Sequence, residues 1–311
     1  MNNEYCVMFA GQSVQETGMG KELWKNPAAR NILQRLTASL GTDLEHITTE
    51  MGEEELAKTF HAQRCIHACH VANWSAYKAA HPETIPNGVV GHSMGIVAAL
   101  VAAEAMTVED SGTFIHARAQ SFADVCARFD AAQGLAAVAA DFLGDWTEKI
   151  NAFPGVSLAL HNTIGRGTIG GKLADLEAFA AKVEAEGWPL RLKLLKVEGP
   201  YHTKAFAPAR AALAEALGKV ELKAPKVPVF MGTSGKREED PARIRELLVA
   251  QADSPELHFD AVWAAYDHGC RNFLEVAYKP QPVTWLGDQL QNEDGALMPG
   301  VHALAVRTAE L

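Results

Sequence analysis

The feature that most narrows what this chain can fold into is a serine set between two glycines, Gly91-His92-Ser93-Met94-Gly95, inside IPNGVVGHSMGIVAALVAAEAM. A short apolar run ends at the first glycine and an alanine-rich apolar run starts at the second. That order reads as strand, tight corner, helix. The glycines leave room for a strained turn that projects the serine hydroxyl, and the start of the helix offers N–H groups to an oxyanion. The corner predicts a nucleophile, Ser93, and an α/β framework to carry it. His92 adjoins the serine, but neighbours on a sharp turn point apart, so it is read as shaping the site.

The rest of the chain supplies such a framework. EYCVMFAGQ reads as a buried strand ending at a glycine turn, residues 53–80 have helical spacing, and HPETIPNG breaks the chain before strand 88–91. Residues 95–106 and 108–129 read as helices, an order that suggests a parallel sheet covered by helices. From residue 132 the rhythm changes. Strand, helix, strand, strand (RGTIGGK), the amphipathic helix LADLEAFAAKVEAEG and the strand PLRLKLLKV follow within 132–197. That is βαββαβ, the ferredoxin-like pattern. The large domain then resumes with helix APARAALAEALGKV, strand APKVPVFMGTSG, helix DPARIRELLVAQA and strand RNFLEVA. The expected fold is α/β: an α/β-hydrolase-like domain of residues 1–131 and 198–311, with a ferredoxin-like subdomain of residues 132–197 inserted.

A serine hydroxyl needs a base near neutral pH. Among twelve histidines, His268 and His302 lie late in the chain, where an α/β-hydrolase places its base, and His202 lies where the insert rejoins the sheet. Spacing alone does not rank these three. Composition narrows the partners instead. A net charge of −10 argues against nucleic acid and anionic membrane surfaces. No apolar run approaches the ~20 residues that span a bilayer, and the opening MNNEYCVMFAG reads as no signal peptide. Five scattered cysteines fit a reducing cytoplasm.

With these residues in view, the chain resembles the malonyl-CoA:acyl carrier protein transacylase family over nearly its whole length. Gly91-His92-Ser93-Met94-Gly95 matches its GHSxG motif, and Phe9-Ala10-Gly11-Gln12-Ser13-Val14-Gln15 resembles its N-terminal FPGQGSQ. FIHARAQSF resembles the helix of its substrate arginine, which falls on Arg118. GPYHTKAF resembles the segment of its catalytic histidine, which falls on His202, and Arg245-Glu246-Leu247-Leu248 with Gln251 resembles IRELLxxQ.

The resemblance implies that Ser93 attacks an acyl thioester and His202 shuttles the proton. The Gln251 backbone carbonyl orients that histidine, while Gln12 and the Met94 amide form the oxyanion hole. Arg118 would pair with the free carboxylate of a malonyl group, with His92, Asn162, Phe122 and Tyr201 on the substrate side. Malonyl-CoA and an acyl carrier protein are the implied partners of a monomer that needs no metal or prosthetic group. Arg191, Lys193 or Lys204 would supply a basic patch for the carrier. The alternative is a hydrolase that clears acyl groups from carrier proteins with the same Ser–His dyad.

Some positions depart from the family pattern: Ala10, Ser13, Phe122 where methionine is usual, Met231-Gly232-Thr233 in place of an asparagine-centred turn, and Ala277-Tyr278-Lys279-Pro280 in place of Gly-Pro-Gly. They suggest a specialised paralogue, such as a free-standing acyltransferase of polyketide assembly. Two other segments are weighed and set aside. His61, Cys65, His67, Cys69 and His70 are ligand types, but helical spacing puts Cys65 and Cys69 on a different face from His67 and His70, poor for tetrahedral zinc. The glycines of IGRGTIGG lack the Lys-Ser/Thr of a phosphate loop.

Overall fold

The computed structural model describes residues 3–292 and 294–311; Met1 and Asn2, the start of the stretch read against a signal peptide, lie outside them. β1 (Glu4–Phe9) buries Cys6, Val7, Met8 and Phe9 in succession, as a parallel strand covered on both faces does. After the turn come α1 (Lys21–Lys25), α2 (Pro27–Leu40), α3 (Leu44–Thr49), α4 (Glu53–Leu56) and α5 (Thr59–Ala80). The helical stretch expected over 53–80 is therefore two helices, because Lys58 between them is extended (φ −63°, ψ 134°). β2 (Ile85–Gly91) runs parallel to β1, Val7 opposite Val89 and Phe9 opposite Gly91. The chain then turns into α6 (Gly95–Ala102), which is shorter than the expected 95–106, and α7 (Val108–Cys126).

The smaller body comprises β3 (Gln133–Ala139), a 3-10 turn (Leu143–Trp146), α8 (Thr147–Ala152), β4 (Val156–Thr163), β5 (Arg166–Lys172), α9 (Leu173–Ala185) and β6 (Arg191–Leu194). Its strands lie in the order β6-β3-β5-β4, each neighbouring pair antiparallel. A separate apolar cluster, including Leu143, Ile150, Leu158, Ile169 and Phe179, fills it. β6 keeps only four residues of PLRLKLLKV; the Leu195 N–H still donates to the Leu135 carbonyl of β3 at 2.8 Å, and beyond it the chain turns away, with Leu195 and Val197 walling the cleft.

A 3-10 segment (Lys204–Ala209), α10 (Arg210–Gly218), β7 (Val229–Met231), β8 (Lys236–Glu238) and α11 (Pro241–Ala250) lead back to the larger body. β9 (Glu256–Leu257), α12 (His258–Asp267), β10 (Asn272–Ala277), a 3-10 turn (Pro282–Trp285), α13 (Leu286–Gln289) and β11 (His302–Arg307) complete it. The larger sheet has the order β11-β10-β1-β2-β7-β8 and is parallel except for β8. Both sheets taken together give an α/β fold with mixed strand pairing. β9 joins them: Glu256 pairs with Leu160 of β4, and the Leu257 N–H donates to the Gly232 carbonyl just beyond β7, at 2.7 Å. The cleft between the two bodies lies above this junction.

Candidate active site

The corner after β2 is closed by contact as much as by dihedral freedom. A Cβ on Gly91 would lie 2.1 Å from the Ile96 nitrogen, and one on Gly95 2.4 Å from the Phe9 carbonyl oxygen. Only glycine lets β2, α6 and β1 approach so closely. Between them Ser93 takes a left-handed φ of 51°, a strained state for an L-residue of the kind that gathers at functional sites.

His202, also left-handed at φ 63°, meets it from the segment after β6. Its Nε2 lies 2.7 Å from Ser93 Oγ, and its Nδ1 donates to the Gln251 carbonyl at 2.9 Å. That second bond places the proton on Nδ1 and leaves Nε2 free to accept from the hydroxyl. Burial, then the nearby Arg118 cation, holds the imidazole neutral, its pKa pushed down to about 3. His268 stands beside Arg237 at 3.2 Å and His302 lies exposed on β11, both away from the cleft. Of the three histidines that spacing left unranked, the fold brings His202 to Ser93.

Eight of the ten residues expected at the site line one cavity of about 180 Å³: Gln12, His92, Ser93, Arg118, Phe122, Asn162, Tyr201 and His202. The other two stand behind it, Met94 at the entrance to α6 and Gln251 just past α11. Arg118 is 2 % exposed. It donates to Gln63 Oε1 and, at 3.2 Å, to Gln251 Oε1, and its guanidinium lies 4.3 Å from the centre of the Phe122 ring. Burial lowers its pKa only to about 10, so it stays charged at neutral pH. Among the described residues it makes no salt bridge. Tyr201 stacks on Phe122 at 5.7 Å, and His92 pairs through Nε2 with Asn162 Oδ1 at 2.9 Å.

Several partners escape the sequence reading. Gln63 lies one turn after Thr59 on α5, where Gln63 donates to Thr59 Oγ1 and Thr59 to Gln12 Oε1; its i, i+4 spacing was the available signal. Trp285 edges against His92, and Glu256 lies buried beneath Ser93; no local pattern marks either. The ligand-rich run on α5 is divided among other contacts. His67 meets Ser111, His70 the Ala10 carbonyl and His61 the Arg64 guanidinium. Of the basic-patch candidates, Lys204 is paired with Asp253 at 3.1 Å, while Arg191 and Lys193 are exposed on β6.

Fold and site define the class: an α/β protein with a Ser–His pair at a strand-to-helix corner. The model of the acyl transferase domain family matches residues 7–302. The chain is 30% identical to the malonyl CoA-acyl carrier protein transacylase of Bacillus subtilis over 88% of its own length and 86% of that protein's. It is 29% identical to the enzyme of that name from Salmonella typhimurium, covering 88% of each chain. The acyl-carrier-protein-S-malonyltransferase of Bartonella henselae superimposes with a TM-score of 0.87 at 25% identity, covering 99% of this chain and 96% of that one. The chain belongs to the malonyl CoA-acyl carrier protein transacylase family. No helix among the described residues is long and apolar enough to cross a membrane.

Proposed function

We propose that this chain transfers a malonyl group from CoA to the phosphopantetheine thiol of an acyl carrier protein through an acyl-Ser93 intermediate. The observation that carries this reading is Arg118: a buried, charged guanidinium with neutral hydrogen-bonding partners, in the same small cavity as the Ser–His pair. The buried Glu256 carboxyl acts on it through charge without a salt bridge, and a buried cation with no hydrogen-bonded counter-charge is unfavourable. An acyl group that brings its own carboxylate supplies one, in the bidentate geometry a guanidinium favours. The named relatives support transfer, and a hydrolase acting on simple acyl groups has no use for such a clamp.

In the first half-reaction Ser93 Oγ attacks the thioester carbonyl as His202 Nε2 takes its proton. The Met94 N–H and Gln12 face the developing oxyanion, where each donor is worth ~3 kcal/mol of barrier. The carbon–sulfur bond breaks and the CoA thiolate leaves with the proton from His202. The second half runs in reverse, with the carrier thiol as nucleophile. In this reading His92 and Asn162 hold one wall, and the Phe122 and Tyr201 rings back the arginine. The insert 132–197 is a ferredoxin-like subdomain over an α/β-hydrolase-like frame, and no step calls for a metal or prosthetic group.

Intact-mass measurement after mixing with malonyl-CoA tests this. The parent gains a hydroxylamine-labile malonyl group that a carrier thiol removes, and Ser93→Ala gains none. His202→Ala slows loading and unloading together, by ~10²–10⁴-fold. Loading retained by Ser93→Ala would overturn the assignment.

A further inference from the structure

Beneath the corner lies a carboxylate that the reaction as described does not use. Glu256, on the two-residue strand β9, is fully buried. Its Oε1 accepts from the Ser93 N–H at 3.1 Å and its Oε2 from Gln251 Nε2 at 3.3 Å. The same Gln251 nitrogen donates to the Ser93 carbonyl at 3.0 Å. Both peptide groups of the left-handed nucleophile are thereby held, one directly by Glu256 and one through the side chain that Glu256 orients. Gln251 also accepts from Arg118 on Oε1 and from His202 on its backbone carbonyl. One residue thus touches clamp, nucleophile and base, the first two through its carboxamide and the third through its backbone, and Glu256 fixes which way the carboxamide points.

The space for this carboxylate is made by Gly232 at the end of β7. A Cβ there would lie 2.0 Å from Glu256 Oε1 and 2.4 Å from its Cδ. Gly232 is not among the residues with positive φ, so what it provides is room. Burial alone would expel a charge from this site, and it raises the carboxyl pKa to about 7, opposed by the Ser93 and Gln251 donors and by Arg118.

We propose that Glu256 is a positioning residue for the acylation step: in the space left by Gly232 it pins the Ser93 amide and the Gln251 carboxamide, holding the nucleophile and the carbonyl behind the base in register. This rests on Ser93 being the nucleophile.

Rapid-mixing measurement of Ser93 acylation by malonyl-CoA and by acetyl-CoA tests it, with melting temperatures recorded for each variant. Glu256→Gln keeps the shape but sets an amide N–H₂ against a donor. It lowers the acylation rate constant by about 10- to 100-fold for both substrates, the scale of a small misplacement, while the half-saturating malonyl-CoA concentration and the melting temperature stay near the parent's. Gly232→Ala pushes the carboxylate aside and falls in the same direction. Gly232→Ala/Glu256→Ala is no slower than Glu256→Ala alone, because no carboxylate remains to displace.

Parent-like rates in Glu256→Gln and Gly232→Ala, additive losses in the double variant, or a change in half-saturation alone would each overturn the proposal. Glu256→Gln decides if Glu256→Ala does not fold. Acylation of Ser93→Ala would instead sink the nucleophile assignment, so the two failures are told apart.

Discussion

Arg118 shows how much one side chain decides here. It is a buried cation facing Gln63, Gln251 and the Phe122 ring, and the reaction proposed above gives it a carboxylate. Removing one partner of such a pair leaves the other facing an apolar pocket, a loss of roughly 2–5 kcal/mol. Arg118→Ala therefore loads malonyl orders of magnitude more slowly, while acetyl, which never used the arginine, loads as well or better in the vacated volume. Loading rates of malonyl-CoA and acetyl-CoA on both proteins measure this reversal. A parallel fall for both substrates would mean that Arg118 supports the fold alone.

At the scale of elements, corner and caps make different demands. Gly91→Ala drives a methyl group into the Ile96 backbone, which cannot move without unseating α6 from β2. Overpacking of this kind costs about 1–3 kcal/mol, and here it also shifts Ser93, so stability and malonyl loading fall together. Asn26→Ala removes the cap that accepts from the Ala28 and Ala29 N–H groups at the start of α2. It costs about 1 kcal/mol and leaves loading untouched, since α2 lies away from the cleft. Denaturant melts alongside loading rates check both; a stable, inactive Asn26→Ala would contradict the separation.

Across the whole molecule, titration of buried groups sets a stability optimum. Burial drives His67 and His202 down to about 3 and His70 and His92 to about 4, and takes His258 well below its ordinary value. Below the ordinary histidine range of 6.5 the unfolded chain binds these protons and the native state does not, so stability falls as pH drops. Glu256 and Glu275 run the other way. Burial raises them to about 7 and about 8, so the native state holds protons that the unfolded chain has released, and stability falls as pH rises through that window. Five histidines outweigh two carboxyls in acid, and the carboxyls prevail above neutrality. The melting temperature peaks near about pH 7, falling steeply toward pH ~5 and gently toward pH ~8.5. A monotonic rise from pH ~5 to ~9 would contradict this balance.

The sequence by itself determined what local chemistry encodes. Glycine spacing around Ser93 places the corner, since backbone crowding tolerates nothing larger. The alternation and amphipathicity of 132–197 order the strands and helices of the small body, and the family's motifs single out Arg118 and His202. What went unassigned was of two kinds, one with a local signature and one without. α2, in the unassigned stretch between Gln12 and Gly52, carries its signals both in Asn26, Pro27 and Gly41 and in the helical spacing of its buried Ala29, Ile32, Leu33, Leu36 and Leu40. β9 is two residues long and is a strand only because β4 lies beside it. Spacing left His202, His268 and His302 unranked where the family resemblance picked His202, and the contact of His202 with Ser93, like the burial of Glu256 under that serine, is made by the tertiary structure. Each depends on a contact between residues 109 and 163 positions apart, a proximity that no spacing rule along the chain contains.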